Sequence, residues 1–285
     1  MLIQRLHRTA LLPIALALLT ACAGTPPPRV EPEDAALQAA IASPQRREAD
    51  RARDAARHPD ETLRAFGLRE DQTVIEIAPG GGWYTEILAP YLREHGHYVA
   101  ALYVEDDGDD PARTAARLAA SRARFEARFA QHPERYGPIA IGTLRAKGLA
   151  GAGAPASADA VLTFRNIHNW IADEHFDAAL RAFYTVLKPG GVLGVEEHRA
   201  RPGTSLPLII ANGYVPEDYV IAHAREAGFE FVSRSEVNAN PLDTRDHPDG
   251  VWSLPPTLRG GPAYRERALA IGESDRMTLR FRKPR

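Results

Sequence analysis

The stretch TVIEIAPGGGWYTEIL, residues 73–88, decides the fold. Apolar and β-branched residues over 73–78 predict a buried strand, and the proline and three glycines at 79–82 predict a tight turn. The apolar spacing over 83–94 then predicts a helix. A strand, a glycine turn and a helix in this order leave backbone N–H groups open to a small ligand. The segment therefore indicates a binding site at the end of a buried strand.

The same alternation of strand and helix continues along the chain. Further strands are predicted over 98–104, 139–144, 160–164, 192–196, 229–233 and 277–281. Helices are predicted over 44–57, 61–66, 111–131, 173–187 and 217–228, and residues 148–158 are predicted to form a loop. Alternating strands and helices favour parallel strands with helices on both faces. We therefore expect one α/β domain, Rossmann-like, with a mostly parallel seven-stranded sheet.

Composition limits the class of partner. The 285 residues are 44% hydrophobic and 25% charged, which is ordinary for a globular protein, and the formal net charge is −2. Nucleic-acid binding requires a local excess of positive charge. The chain as a whole has no such excess, so we predict no nucleic-acid partner and expect a small molecule instead.

The first residues have the pattern of an export signal. A short basic region at 5–8 precedes an apolar run at 10–19, which ends in Leu19-Thr-Ala-Cys22. This ending resembles the lipobox of bacterial lipoproteins, and Cys22 is the only cysteine, so it has no disulfide partner. The resemblance implies a signal peptide at 1–21 and lipidation of Cys22, including palmitate. It also implies a periplasm-facing protein anchored to a membrane, and Ala23 favours the outer membrane.

Residues 22–43 are rich in proline near their start and are predicted to form a lipidated tether. Ser43 suits a helix N-cap and Pro44 suits the first helical position. The folded domain is therefore predicted to span 44–285.

The glycine turn differs from the dinucleotide-binding pattern G-x-G-x-x-G. Its form, Glu76-Ile-Ala-Pro-Gly-Gly-Gly82, resembles motif I of the class I S-adenosylmethionine-dependent methyltransferases. Four further segments resemble one group of predicted methyltransferases within that superfamily: 83–85, 165–170, 187–192 and 274–284. The resemblance implies S-adenosylmethionine as cofactor, bound by Glu76, Ala78, Gly80, Gly81, Gly82 and Tyr84. A buried glutamate must be hydrogen-bonded, so Glu76 is expected to accept loop N–H groups or to contact the amine of the ligand.

The second strand departs from the family pattern. In this fold it usually ends in an acid that holds the ribose of the cofactor. Leu102 and Tyr103 stand there instead, and the nearby acids at 105–107 are the candidates to replace it.

Methyl transfer mainly requires alignment of the acceptor with the methyl group, and a base when the acceptor carries a proton. The segment Arg165-Asn-Ile-His-Asn-Trp170 follows the fourth predicted strand. His168 is the candidate base, Asn166 and Asn169 the candidates to orient a polar substrate, and Arg165 the candidate to bind a carboxylate or phosphate. Trp83 and Trp170 are candidate walls, with core packing as the alternative.

Glu197 and His198, after the fifth strand, leave a second chemistry open. With His168 they could bind a divalent ion, although nothing in their spacing requires one, and we assign no metal ligands. Arg53, Asp54 and His58 are candidates for a lid over the cofactor, with an ordinary surface helix as the alternative.

These observations favour methyl transfer to a small-molecule acceptor that the sequence does not identify. Two alternatives stay open. An envelope protein works away from the compartment that makes the cofactor, which favours a non-catalytic binding protein that keeps a methyltransferase fold. A scaffold that uses the helix at 111–131 is the third alternative, because the fold alone does not define a function.

Overall fold

The computed structural model describes residues 34–104, 110–145 and 148–285. These residues belong to one compact unit, Asp34–Arg285. Residues 1–33, which include Cys22, and the acids at 105–107 lie outside the described residues. Within the described part, no helix is both long enough and apolar enough to cross a membrane.

A single mixed sheet forms the centre of the domain. Its strands are β1 (Thr73–Ile77), β2 (His97–Tyr103), β3 (Ile139–Arg145), β4 (Gly148–Ala150), β5 (Ala158–Phe164), β6 (Leu187–His198), β7 (Glu230–Ser235) and β8 (Arg276–Arg282). Their order across the sheet is β4-β3-β2-β1-β5-β6-β8-β7. All seven predicted strands are present. The eighth, β4, is a short antiparallel edge strand in the segment that the sequence predicted as loop.

The sheet is mostly parallel, as predicted. β1 pairs in parallel with β2 on one side and with β5 on the other, and β6 extends the parallel part beyond β5. β8 is inserted antiparallel between β6 and β7. From β1 the chain adds β2 and β3 on one side of the sheet, and it then crosses to add β5 and β6 on the other side of β1. Loops that leave two such strands, here β1 and β5, diverge, and a crevice forms at their carboxyl ends.

Helices cover both faces. They are α1 (Ala35–Ala42), α2 (Glu48–Arg51), α3 (Asp54–Arg57), α4 (Pro59–Phe66), α5 (Thr85–Leu92), α6 (Pro111–Phe125), α7 (Pro133–Tyr136), α8 (Ile167–Ala172), α9 (Phe176–Val186), α10 (Leu206–Asn212), α11 (Glu217–Glu226) and α12 (Pro262–Ile271). A π-helical turn follows α6 at Glu126–Ala130, and a 3-10 turn lies at Gly250–Ser253. The helix predicted over 44–57 is interrupted and forms α2 and α3.

Side chains that alternate along the strands build a core on each face. In β1, Val74 packs with α1, α4 and α5, whereas the next residue, Ile75, packs on the opposite face with α8 and α9. In β5, Val161 and Leu162 divide between the two cores in the same way. This two-sided burial is the reason why both strands are apolar throughout.

The predicted boundary between tether and domain at residue 43 is wrong. Residues 35–42 form α1, with Asp34 as its N-cap, and Leu37 is only 1% exposed because it packs in the core beside α5. The Tyr91 hydroxyl donates to the Asp34 carboxylate and fixes the start of the helix. The prolines that precede α1 dominate the composition of the segment, and they concealed an alanine-rich helix.

Candidate functional site

The glycine turn after β1 leaves its backbone open. Ala78, Gly80 and Gly82 have φ of 50°, 56° and 76°, a conformation that glycine adopts without steric cost. A Cβ atom built on Gly81 would meet nothing within 4 Å, and one on Gly80 would meet only a carbonyl oxygen at 4.0 Å. Among the described residues, none accepts a hydrogen bond from the N–H of Gly80 or Gly81. The turn can therefore approach a ligand closely and donate to it.

Gly82 has a different role. A Cβ atom there would lie 2.2 Å from Cζ of Phe129, in the π-helical turn. In the same turn, the Arg128 guanidinium donates to the carbonyl of Gly81 and, at 2.9 Å, to the Glu86 carboxylate. These contacts hold the glycine turn from its outer side, next to a cavity of about 430 Å³.

Glu76 is buried in β1 and does not accept the loop N–H groups that we expected. Its Oε2 accepts hydrogen bonds from the Thr85 hydroxyl at 2.9 Å and from the Tyr98 hydroxyl at 2.5 Å. Burial raises the pKa of this carboxyl to about 7, against the opposing effect of the two hydroxyl donors. Glu76 therefore anchors β1 to α5 and β2 beneath the loop. A direct contact with a ligand amine stays a prediction.

Tyr103 occupies the end of β2, where the family pattern has an acid. Its hydroxyl donates to the carboxylate of Asp173, which follows α8, and its ring packs edge-on against Trp170. A carboxylate is thus present near this end of the sheet, but it comes from a different part of the chain.

Asn166 joins the two strands that flank the crevice. Its side-chain amide donates to the carbonyl oxygens of Ile77 and Phe164, both at 3.2 Å. Ile77 ends β1 and Phe164 ends β5, so this amide fixes the glycine turn relative to the segment that carries His168. Asn169 lies in α8, and its side chain is exposed.

His168 is buried at the start of α8 and is held by Glu197. Its Nδ1 lies 3.0 Å from Glu197 Oε1, and Glu197 Oε2 accepts the backbone N–H of Ile167 at 2.6 Å. A carboxylate accepts hydrogen bonds, so the imidazole donates from Nδ1, and in the neutral tautomer that this bond selects the lone pair is on Nε2. No described residue forms a hydrogen bond with Nε2, which leaves it available to a ligand.

A second imidazole lies next to the first. The rings of His168 and His198 are 5.3 Å apart between centroids, and His198 Nδ1 lies 2.6 Å from the Ser274 hydroxyl. Burial, then repulsion by His168 and by nearby arginines, lowers the pKa of His198 well below its usual range. His198 is therefore neutral near pH 7. Trp252, from the 3-10 turn, packs against His168 on another side.

His168, Glu197 and His198 are also the set of three side chains, among the described residues, whose geometry could hold a metal ion. One ligand atom from each lies within 4.8 Å of the others. Both oxygens of Glu197 already accept N–H groups, since the His198 N–H donates to Oε1 at 2.8 Å. This arrangement suits a carboxylate that orients the imidazole of His168 better than one that binds an ion directly.

Arg165 follows β5 in the left-handed conformation, with φ of 60°. Its Nη1 donates to Glu196 Oε1 at 2.8 Å, and Arg276 approaches the same oxygen at 3.0 Å. Tyr84 donates to the other oxygen of Glu196 at 3.1 Å, and its ring stacks on Phe164 with centroids 3.6 Å apart. The side chain of Tyr84 lies in the core, so only its backbone can serve the cofactor role predicted for it.

The two tryptophans predicted as walls are core residues. Trp170 is completely buried against Phe183. Trp83 is 6% exposed, and its indole N–H donates to the carbonyl of Asp50 at 2.9 Å, which ties the N-terminal helices to the glycine turn. Sequence position cannot show which way a side chain points from a short helix or turn.

The candidate lid residues are bound to the domain. Arg53 donates a hydrogen bond to Glu273 at 2.8 Å. The Asp54 carboxylate accepts hydrogen bonds from both terminal nitrogens of Arg46, at 2.7 and 2.8 Å. His58 joins α3 to α4 with φ of 42°. Sequence reasoning missed Arg57 and Glu273, and it assigned no role to Arg276, although this residue lies in the segment 274–284 noted above. No local pattern marks the three as neighbours, because they are brought together only by the fold.

Comparison with known proteins gives the fold. No protein-family model and no curated protein matches the sequence. A provisionally assigned sarcosine dimethylglycine methyltransferase from Galdieria sulphuraria has a similar structure, with a TM-score of 0.51 and 12% identity over 82% of this chain and 85% of that one.

Two further solved structures are more distant. A methyltransferase dependent on S-adenosylmethionine from Aquifex aeolicus gives a TM-score of 0.46 and 18% identity, over 66% of this chain and 87% of that one. An arsenic(III) S-adenosylmethionine methyltransferase from Chlamydomonas reinhardtii gives 0.46 and 17%, over 88% and 73%. The strand order and the similarity to the Galdieria sulphuraria structure show that the chain has a Rossmann-like fold, as class I methyltransferases do.

Proposed function

We propose that this chain transfers the methyl group of S-adenosylmethionine to a small-molecule acceptor. The observation that supports this most directly is the position of Asn166. Its amide binds the carbonyls of Ile77 and Phe164 and so holds two parts of one crevice together. One part is the open glycine turn, and the other is the segment with His168.

The residues at the glycine turn fit the cofactor. Gly80 and Gly81 present N–H groups without protein acceptors and leave space where side chains would stand. Such a turn suits the carboxylate end of S-adenosylmethionine, which supplies a methyl group on a positively charged sulfur. Ala78 and Gly82 shape the turn, and Glu76 supports it from below through Thr85 and Tyr98.

His168 would accept a proton from the acceptor. Glu197 fixes its orientation and its tautomer, which places the lone pair on Nε2. His198 is neutral and lies beside it, so it can orient a polar group of the acceptor without adding charge. Arg165 and Asn166 hold the segment in place, and their direct contact with the acceptor is part of the proposal.

A non-catalytic binding protein is the second candidate. Tyr103, in place of the ribose-binding acid at the end of β2, favours it, because its hydroxyl is engaged by Asp173 rather than left for a ligand.

Titration of S-adenosylhomocysteine and S-adenosylmethionine into the full chain, followed by calorimetry, tests the proposal. We expect saturable binding in the micromolar range. Gly81→Val should abolish it, since the new side chain would occupy the space of the ligand while Gly81 is not in the left-handed region that favours glycine. A fragment that starts at residue 44 would be unsuitable, because it lacks α1.

Ala140→Val is the control. Ala140 is exposed in β3, where valine suits an extended backbone, so this change adds a branched side chain away from the glycine turn. Absence of binding to the folded full chain, or equal affinity in Gly81→Val, would overturn the proposed cofactor site.

We also propose that the chain is a lipoprotein of the cell envelope. The resemblance of residues 19–22 to a lipobox supports this. Cys22→Ser should move the protein from the membrane to the soluble fraction, because acyl chains provide the anchoring. Continued retention of this variant in the membrane fraction would contradict the proposal.

A further inference from the structure

Four arginines and two glutamates meet beside the crevice, and we call this group the arginine cluster. Its members are Arg53, Arg57, Arg165, Glu196, Glu273 and Arg276. They come from α3 and its N-cap, the ends of β5 and β6, and the start of β8. The cluster lies on the side of the crevice away from β2, next to His198.

Arg276 is the centre of the cluster and has a structural role. Its Nη1 lies 3.0 Å from Glu196 and 3.2 Å from Glu273, so it bridges the two carboxylates. Its Nη2 donates to the carbonyl of Ala56 in α3. These contacts use its terminal nitrogens and connect β8 to the N-terminal helices.

Arg57 and Arg53 are bound through one nitrogen only. Arg57 donates from Nε to both oxygens of Glu273, at 3.1 and 3.3 Å, and stacks on Trp83. No described residue accepts a hydrogen bond from its two terminal nitrogens, although its side chain is only 5% exposed. Nη2 of Arg53 is buried and also has no acceptor. A buried charged donor without an acceptor is costly, so Nη2 of Arg53 points to a missing ligand, and the unaccepted terminal nitrogens of Arg57 beside it are open to the same ligand.

Charge in the cluster is not balanced. Four guanidinium groups face two carboxylates, which leaves two positive charges in excess. Neighbouring acids do not supply the difference, since Asp54 is paired with Arg46 and Glu197 holds His168. Burial, followed by repulsion from Arg165, lowers the pKa of Arg57 to about 9, in agreement with an excess of positive charge.

We propose that Arg57, together with Arg53 and Arg165, binds an anionic group of the methyl acceptor, either a carboxylate or a phosphate. Planar guanidinium groups with free terminal nitrogens match such oxygens in a forked geometry. Arg165 follows β5 and Glu196 precedes His198, so the anion would lie beside the two imidazoles. Assignment of this anion to the acceptor rests on the proposed methyl transfer, whereas the anion site itself does not.

The test uses the full chain saturated with S-adenosylhomocysteine. Inorganic phosphate and malonate are titrated in turn and followed by calorimetry, and the one that binds more tightly identifies the class of anion. We expect saturable binding that Arg57→Gln weakens by about tenfold or more, the effect of one hydrogen bond to a charged group. Arg53→Gln should weaken it less. Arg64→Gln is the control, because it removes the same charge from an exposed pair on α4 and should leave the affinity unchanged.

Three results would overturn the proposal: no binding of either anion, an equal loss in Arg64→Gln, or displacement of S-adenosylhomocysteine by the anion. The last would mean that the cluster holds the carboxylate of the cofactor. If S-adenosylhomocysteine does not bind but phosphate binding depends on Arg57, the anion site stands and the proposed methyl transfer fails. Thermal unfolding of each variant shows whether it is folded.

Discussion

Two buried charged clusters lie at the same end of this protein, and they are built differently. The arginine cluster has excess positive charge and donors without acceptors. The second, which we call the aspartate cluster, consists of Arg199, Tyr214, Asp243, Arg245, His247 and Asp275. In it, two carboxylates face two guanidinium groups.

The aspartate cluster is organised around one carboxylate whose hydrogen bonds are satisfied. Asp243 accepts from the Tyr214 hydroxyl, from His247 and from the backbone N–H groups of Arg245 and Asp275. The other nitrogen of His247 pairs with the Tyr264 hydroxyl. Burial of polar groups alone therefore does not indicate a ligand site. One unpaired nitrogen does not indicate it either, since Nε of Arg245 in the aspartate cluster is buried without a partner, as is Nη2 of Arg53 in the arginine cluster. The difference is that the arginine cluster combines such a donor with excess positive charge and with two further donors on Arg57 that no described residue accepts.

The largest effect should come from breaking the aspartate cluster. Asp243→Ala removes the acceptor of four donors and leaves them buried, so we expect a loss of about 3–5 kcal/mol in the free energy of unfolding. Urea unfolding measures it. Arg57→Gln, in the arginine cluster, should cost far less, because it also removes an unbalanced charge. Similar losses in both variants would show that the two clusters do not differ as described.

Two buried carboxylates sharpen the comparison: Glu273, which belongs to the arginine cluster, and Glu76, which lies outside both clusters. Burial alone would raise the pKa of Glu273, but the positive charges of four arginines outweigh it and lower the pKa to about 2. Glu76 has only hydroxyl donors close by, and its pKa rises to about 7. The raised value means that the folded state favours the protonated carboxyl. The stability that Glu76 contributes is therefore complete below pH 4.5 and is lost as pH rises through 7.

Glu76→Gln should remove this dependence, because an amide stays neutral at every pH. The wild-type chain should lose up to about 3 kcal/mol of stability relative to the variant between pH 5 and pH 8, because folding raises the pKa of this carboxyl from 4.5 to about 7. Urea unfolding at several pH values checks this expectation. Parallel pH profiles for the two proteins would show that the carboxyl titrates normally.

Much of the fold could be predicted from the sequence because strands and turns are local. Residues 73–88 combine a buried strand, a glycine turn and a helix, and the structure confirms all three. α1 was missed because proline dominated the composition before it. β4 was missed because a three-residue edge strand depends on its neighbour, β3, for its pairing.

The candidate site could be predicted only to the level of segments. Carboxyl ends of parallel strands meet at one edge of a sheet, and the structure brings the glycine turn, residues 165–170 and residues 196–198 together at that edge. The arginine cluster could not be predicted, because Arg53 and Glu273 are 220 residues apart along the chain. Trp170 shows the other limit, since its burial depends on packing against α9 and not on its position after a strand.

β8 has a consequence for the order in which the protein matures. This strand and the residues just before it provide Arg276, Glu273 and Ser274, and it lies between β6 and β7 in the sheet. A growing chain that has not yet reached residue 282 has β6 and β7 without their common neighbour, and α3 with its N-cap lacks its charged contacts with Glu273 and Arg276. The crevice can therefore be completed only after β8 has been made. Before β8 is in place, the emerging chain should behave as an open intermediate that neither S-adenosylmethionine nor the anionic acceptor can stabilise.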